Sequence, residues 1–390
     1  MSSTALFLRF LRYGALAFGG PVAQVAHLRD ELVERERWVT PEEFQRALAL
    51  YQLLPGPEAT ELCAWFGMRK GGRLGGVLAA LGFVLPGVGL MLAAGWAWRT
   101  AGARQWIPGE VMLCLQAAVA ALVVRASWRL GRGVVGSAQS GALVGSAFLA
   151  SVAGAPFWLV LGLPALGLSW RRRAGGWLAV AGLLGLVGWC WQGHVPEAPV
   201  PGPVAAQAAG GEPATPWALL LLGLRAGLFS FGGAYTALPI VRHEAVVAHG
   251  WLSDSAFLDG VALGGILPAP LIVFTTFVGY SAGGFPGALA ATAGTFLPAF
   301  AMVVLLHERL ERWMADARLH ALLDGVMLGV VGLVAATAVQ VSGPVVGSAG
   351  GLAVALCALG LLWKLPAAWS VPTVVLGAAA AGGVSSLLSH

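Results

Sequence analysis

Residues 12–20 read Arg-Tyr-Gly-Ala-Leu-Ala-Phe-Gly-Gly, and residues 225–233 read Arg-Ala-Gly-Leu-Phe-Ser-Phe-Gly-Gly. Arg12, Gly14, Phe18, Gly19 and Gly20 thus recur 213 positions on as Arg225, Gly227, Phe231, Gly232 and Gly233. The same spacing joins Arg29 to Arg242, Glu31 to Glu244, Trp38 to Trp251, and Leu54-Pro55-Gly56-Pro57 to Leu267-Pro268-Ala269-Pro270. After one deletion it becomes 212, and Gly71, Gly82 and Pro86 fall on Gly283, Gly294 and Pro298. Coincidences held at nearly constant spacing mark an internal duplication. The expected division is a first repeat over 1–192, a Pro- and Gly-rich link over 193–216 and a second repeat over 217–390.

Composition sets the solvent. Of 390 residues, 58% are hydrophobic and 11% charged, against about 25% charged in soluble domains. Uncharged runs cover 74–98, 133–170, 260–307 and 325–363, and one membrane crossing takes about 20 apolar residues. The longer runs therefore read as helix pairs. A large soluble helical core would need polar outer faces that are missing, and a β-barrel would alternate in short segments. The start lacks the pattern of a cleaved signal peptide. The four cysteines are isolated, the seven histidines are scattered, and no nucleotide loop or hydrolase motif stands out, so neither a cofactor, a metal nor an enzyme is expected. A net charge of +5 needs no nucleic acid, because membrane proteins concentrate Lys and Arg on the cytoplasmic side.

The fold class expected is an all-α polytopic membrane protein of about 13 transmembrane helices. They are placed near 6–26, 45–67, 74–98, 109–127, 134–153, 155–170, 174–192, 217–237, 256–281, 286–307, 322–341, 344–363 and 370–388. Seven crossings before the second repeat make it an inverted repeat, with the N-terminus cytoplasmic and the C-terminus periplasmic. Clusters at 69–73, 125–132, 171–173, 309–318 and Lys364 then lie inside. If 133–170 were one crossing, the halves would be parallel.

Both halves carry breaks at matched places. Gly19-Gly20-Pro21 and Gly232-Gly233 lie inside apolar segments, and Pro55-Gly56-Pro57 and Pro268-Ala269-Pro270 interrupt the next ones. Proline removes a donor and pushes its predecessor out of helix. In hydrocarbon such a break survives only beside a cavity or packed in protein, and paired discontinuous helices point to a transport site near the midplane. Kinks that merely fit neighbouring helices together are the alternative. Helix amino ends at such breaks suit an anion.

Arg12 and Arg225 are candidates to attract or bind that anion, or are interfacial arginines facing headgroups. Arg29, Glu31, Arg242 and Glu244 belong at a pore mouth, in a buried network or in surface pairs. Glu58 and Glu61 follow the first Pro-Gly-Pro, where an ionised, unpaired carboxylate costs several kcal/mol; proton coupling fits them, and so does a salt bridge to the other half. The matched Leu271 and Phe274 make any such role asymmetric.

Phe18-Gly19-Gly20-Pro21, Leu54-Pro55-Gly56-Pro57-Glu58 and 82–87 in the first half, with Phe231-Gly232-Gly233-Ala234-Tyr235, Leu238-Pro239, Tyr280 and Phe296-Leu297-Pro298 in the second, resemble the chromate ion transporter family in its long, two-domain form. The likeness covers about 6–190 and 217–388. It implies an inner-membrane protein that exports chromate, using membrane potential or a proton gradient, and it places Tyr235 among the candidates with the break residues. Sulfate, similar in shape and charge, is the alternative substrate. A sensor without flux is the alternative outside transport. A homodimer is left open. Ala269 stands where many relatives have Gly, so the second break is expected to be less sharp.

Overall fold

The computed structural model describes residues 2–18, 20–100, 108–170, 174–191, 214–231, 233–313 and 316–389. Within them the chain is helical, with no strand and one isolated backbone bridge. Gly19, Gly232, Arg171 to Arg173 and most of the expected link lie outside the described residues.

The first half begins with α1 (Ser3–Ala15), α2 (Gly20–Arg29, running on as a wide turn over Asp30–Arg35), α3 (Pro41–Leu53) and α4 (Glu58–Thr100). It continues with α5 (Gly109–Val134), α6 (Ala138–Val152), α7 (Phe157–Trp170) and α8 (Ala174–Trp189). The second half holds α9 (Pro216–Leu228), a short turn (Ala234–Ala237) leading into α10 (Leu238–Arg242), α11 (Asp254–Ile266) and α12 (Phe274–Trp313). α13 (Ala317–Val346), α14 (Ala349–Lys364) and α15 (Ala367–Ser389) complete it.

Local signals repeat with the sequence. Ser2 caps α1 and Thr215 caps α9 through side-chain oxygens, while Thr40 and Ser253 do the same for α3 and α11. Each cap satisfies an amide that the first helical turn leaves unpaired. Leu54 and Leu267, each before a proline, are extended at ψ 155° and 148° and end α3 and α11. Clash with the proline ring supplies the reason.

The segments read as single crossings at 6–26 and 45–67 are each two short helices. α1 has 13 residues, about 20 Å at 1.5 Å per residue, and so stops well inside a hydrocarbon layer of about 30 Å. α4 is a hairpin. Gly71 (φ −145°) and Gly72 (φ 61°) reverse the chain between arms 58–70 and 73–100, and Gly283 (φ −134°) with Gly284 (φ 65°) does the same inside α12. A positive φ is open to glycine at little cost. Above each turn, Gly67 meets Gly75 and Gly279 meets Gly287 backbone to backbone. The arms of α12 are further pinned by Thr276 to Thr292 (2.7 Å) and Thr295 to Thr275 (3.1 Å).

α1 lies on the second arm of α4, with Gly14 against Phe83 and Gly82 against Phe7; in the second half Gly227 lies against Thr295 and Gly294 against Leu220. The later helices are exchanged. α5 of the first half packs against α14 and α15, and α13 of the second packs against α6 and α7. Neither half closes on itself. The 133–170 region is two helices, of 15 and 14 residues. Among the described residues five segments are long and apolar enough to cross a membrane, 58–99, 109–134, 271–307, 317–343 and 370–387; the first and third contain the glycine reversals. Exposed Trp96, Trp128, Trp158, Trp170, Trp177 and Trp217 suit a lipid boundary, where one end of the ring stays wet.

Candidate functional site

The breaks of the two halves meet crosswise. Pro55 and Phe231 form an antiparallel bridge, and the Gly56 N–H donates to the Ser230 carbonyl at 2.8 Å. That joins the second break of the first half to the first break of the second. The reciprocal joint is closed by a side chain: Gln24, 2% exposed, donates from Nε2 to the carbonyls of Ala17 and Ala269, both at 2.9 Å. Ala17 matches Ser230 and Ala269 matches Gly56 in the duplication. Gln24 has no counterpart, since Ala237 holds the matching place.

Packing at the two joints is complementary. A Cβ at Gly56, whose φ is 156°, would fall 2.5 Å from Glu61 Oε1 and 3.1 Å from the Ala299 Cβ. At the other joint Ala269 meets Gly87, the match of Ala299. Each joint therefore pairs one alanine with one glycine. The expectation of a less sharp second break does not hold, because Gly87 makes room for the extra methyl and Leu267 turns out of helix as Leu54 does.

Polarity differs more than shape. Glu58 and Glu61 occupy the first turn of α4, whereas the start of α12 has no acidic residue. Glu61 is fully buried, and its carboxylate has no hydrogen-bond partner among the described residues. Burying an ionised, unpaired carboxylate costs several kcal/mol, so this packing suits the neutral acid. Glu58 lies near Gln52 and within electrostatic reach of Arg129. Gln52 lines a polar cavity of about 430 Å³ with Ser137, Gln139, Ser140 and Asp324, open to the surface beside the first-half break.

Gly20 (φ 79°) and Gly233 (φ 119°) take left-handed backbone beside their breaks, and the Gly233 carbonyl accepts from Thr236 Oγ1 at 2.8 Å. Tyr235 follows, packed against α5 and α15 and within reach of Arg125 and Arg129. Pro55, Pro57, Pro268 and Pro270 frame the two joints.

The charged candidates do not gather there as one set. Arg12 is exposed on the face of α1 that also carries exposed Leu8 and Leu16, and it makes no ion pair among the described residues. Arg225 pairs with Glu244 at 2.5 Å in a groove lined by Phe157, Trp158 and Phe229. Arg242 forks onto Asp254 at 2.7 and 3.1 Å and also donates to Gln340 at 2.7 Å, tying α10 to α11 and α13. In the first half, Arg29 to Glu34 (2.9 Å) and Arg35 to Glu31 (2.5 Å) are surface pairs. The second-half pairs are partly buried, through Glu244 and Arg242, whereas Arg29 and Arg35 pair in the open.

Sequence reasoning passed over Gln24, Arg125 and Arg129. Helix α5 was expected to end near 127, with Arg129 and Arg132 in a loop. It runs to Val134, so both belong to its last turns. A continuing apolar and small-residue pattern through Gly131 and Val134 was the available signal.

Comparison with known proteins gives one consistent answer. The family model described as chromate transporter matches twice, over residues 4–170 and 217–383. A chromate transport protein of Pseudomonas aeruginosa is 44% identical over 386 residues, covering 98% of this chain and 92% of that protein. A chromate transport protein of Cupriavidus metallidurans and a probable one of Synechococcus elongatus are each 31% identical, over 99% and 96% of this chain and 94% and 93% of those proteins. No solved structure matches.

Proposed function

The chain belongs to the chromate transporter family, and from that premise we propose that it exports chromate from the cytoplasm as a secondary transporter of the inner membrane. The observation that carries the reading is the crosswise meeting of the broken segments, Pro55 with Phe231 and Ala17 with Ala269. Discontinuous helices from two repeats enclose one shared place, where unwound backbone and helix ends can face an anion. Gly20, Pro55, Gly56, Pro57, Gly233, Tyr235, Pro268 and Pro270 border the path. Arg12 and Arg225 bias its approaches, and Arg29, Glu31, Arg242 and Glu244 stand at its mouths.

The inverted arrangement is supported by the order of contacts, while the 13 crossings and the cytoplasmic N-terminus rest on the lengths of the apolar runs and the placement of Lys and Arg. Gly87 meets Ala269 and Gly95 meets Tyr280, so the second arm of α4 and the first arm of α12 run the same way. Since the arms of each hairpin run opposite ways, the two first arms oppose each other. Rocking of the halves about the joints then alternates access.

A negative-inside potential drives a dianion outward by about 2.3 kcal/mol per charge per 100 mV. A proton on Glu58 or Glu61 supplies coupling. Counterflow in liposomes holding the purified chain, offered chromate, sulfate and phosphate at two pH values, tests all of this. Chromate exchange that sulfate competes with is expected. Exchange of none of the three contradicts transport, and sulfate exchange without chromate moves the substrate to sulfate.

A further inference from the structure

Arg125 and Arg129 sit one turn apart on α5, so their side chains share a face. Arg125 is half-buried and its Nη1 donates to Ser370 Oγ on α15 at 3.2 Å. Both guanidinium groups lie within electrostatic reach of Tyr235, which is half-buried beside the second-half break. Arg129 also reaches toward Glu58, at the start of the first-half helix α4. Half-buried Arg125 and exposed Arg129 are thus the cations nearest to groups that flank both breaks, Tyr235 after Gly233 and Glu58 after Pro57.

Among the described residues, neither arginine makes a salt bridge, although paired arginines are common elsewhere in the chain. The acidic neighbour of Arg129, Glu58, forms no salt bridge among the described residues and has Gln52 beside it. Two like charges one helical turn apart repel, and the repulsion grows as water is removed. A guest carrying two negative charges relieves it. Guanidinium groups bind tetrahedral oxyanions through parallel N–H donors, with geometry that a lysine cannot copy.

We propose that Arg125 and Arg129 are the two cationic ligands of the transported oxyanion, one for each of its charges, with the Tyr235 hydroxyl as a neutral donor. Ser370 is a positioning residue that fixes the Arg125 fork. The assignment rests on the transport reading above. It also accounts for selectivity by charge, because a monoanion leaves one of the two guanidinium groups uncompensated.

The test is chromate counterflow in liposomes, with KM and kcat measured separately, and the chromate-induced thermal stabilisation of the solubilised protein measured beside it. Arg125→Gln and Arg129→Gln are each expected to raise KM about tenfold or more and to lose the stabilisation by chromate. Arg129→Lys keeps the charge but not the fork and falls between. Arg132→Gln, one turn beyond and stacked on Trp128 at 4.7 Å, keeps the wild-type KM and controls for topology. Should Arg125→Gln not insert, Ser370→Ala replaces it and raises KM about threefold with kcat unchanged. A wild type that carries chromate beside Arg→Gln variants of unchanged KM overturns this assignment alone. A wild type that carries no oxyanion overturns the transport reading as well.

Discussion

The two crossed joints have one geometry and two chemistries. At Gly56 and Ser230 the backbones bond directly, with the buried Glu61 carboxylate filling the space a side chain at 56 would need. At Ala17 and Ala269 the backbones are bridged by the Gln24 amide, and no acid is present. Duplication set the frame, and divergence then placed titratable groups on one side. A symmetric fold can rock, but an asymmetric polar lining is what can distinguish a proton from an anion.

The sharpest way to break that comparison is Gly56→Ala. The new methyl meets Glu61 and Ala299 at a backbone angle that disfavours it, and transport is expected to fall about a hundredfold or more, read by counterflow at matched protein density. Gln24→Leu comes next. It leaves the carbonyls of Ala17 and Ala269 unpaired in a buried place, at about 1–3 kcal/mol each, and thermal unfolding in detergent should show the loss. Retention of wild-type stability would mean that the second joint does not depend on its bridge.

Gly87→Ala sharpens the packing half of the argument. Its methyl overlaps that of Ala269, and overpacking of this kind costs about 1–3 kcal/mol. The double variant Gly87→Ala with Ala269→Gly restores one alanine and one glycine, and stability and transport should return together. The smallest effect on stability is expected from Glu61→Gln. If the buried acid is neutral, the amide changes stability by less than about 1 kcal/mol while flattening the dependence of transport on pH. A loss well beyond that would show that Glu61 is ionised and paired.

Much of this was legible beforehand. The repeat, the breaks at Pro55 to Pro57 and Pro268 to Pro270 and the division of 133–170 into two helices follow from proline, glycine and apolar length, which act locally. The reversals at Gly71-Gly72 and Gly283-Gly284 left a mark in the repeated glycines without declaring their angle. Gln24 could not be found that way, because a single amide in an apolar helix signals nothing until its two carbonyl partners, 7 and 245 positions off, are brought to it. Arg125 and Arg129 were read as cytoplasmic anchors because three arginines within eight residues satisfy the charge rule equally well. The exchange of α5 and α13 between halves depends on packing far apart in sequence, and periodicity carries no trace of it.

Cysteine cross-linking tests the crossed joints most directly. In a background with Cys63, Cys114, Cys190 and Cys357 replaced, Pro55→Cys with Phe231→Cys should form a disulfide in membranes, since residues paired in a bridge hold their Cα atoms within about 5.5 Å, and Ala17→Cys with Ala269→Cys, whose carbonyls are spanned by the Gln24 amide, should be joined by a short thiol cross-linker. Oxidation should stop chromate counterflow and reduction restore it, while the same-half pair Ala17→Cys with Pro55→Cys stays unlinked. Linking of the same-half pair in place of the crossed ones, or full transport with the crossed links closed, would contradict the account.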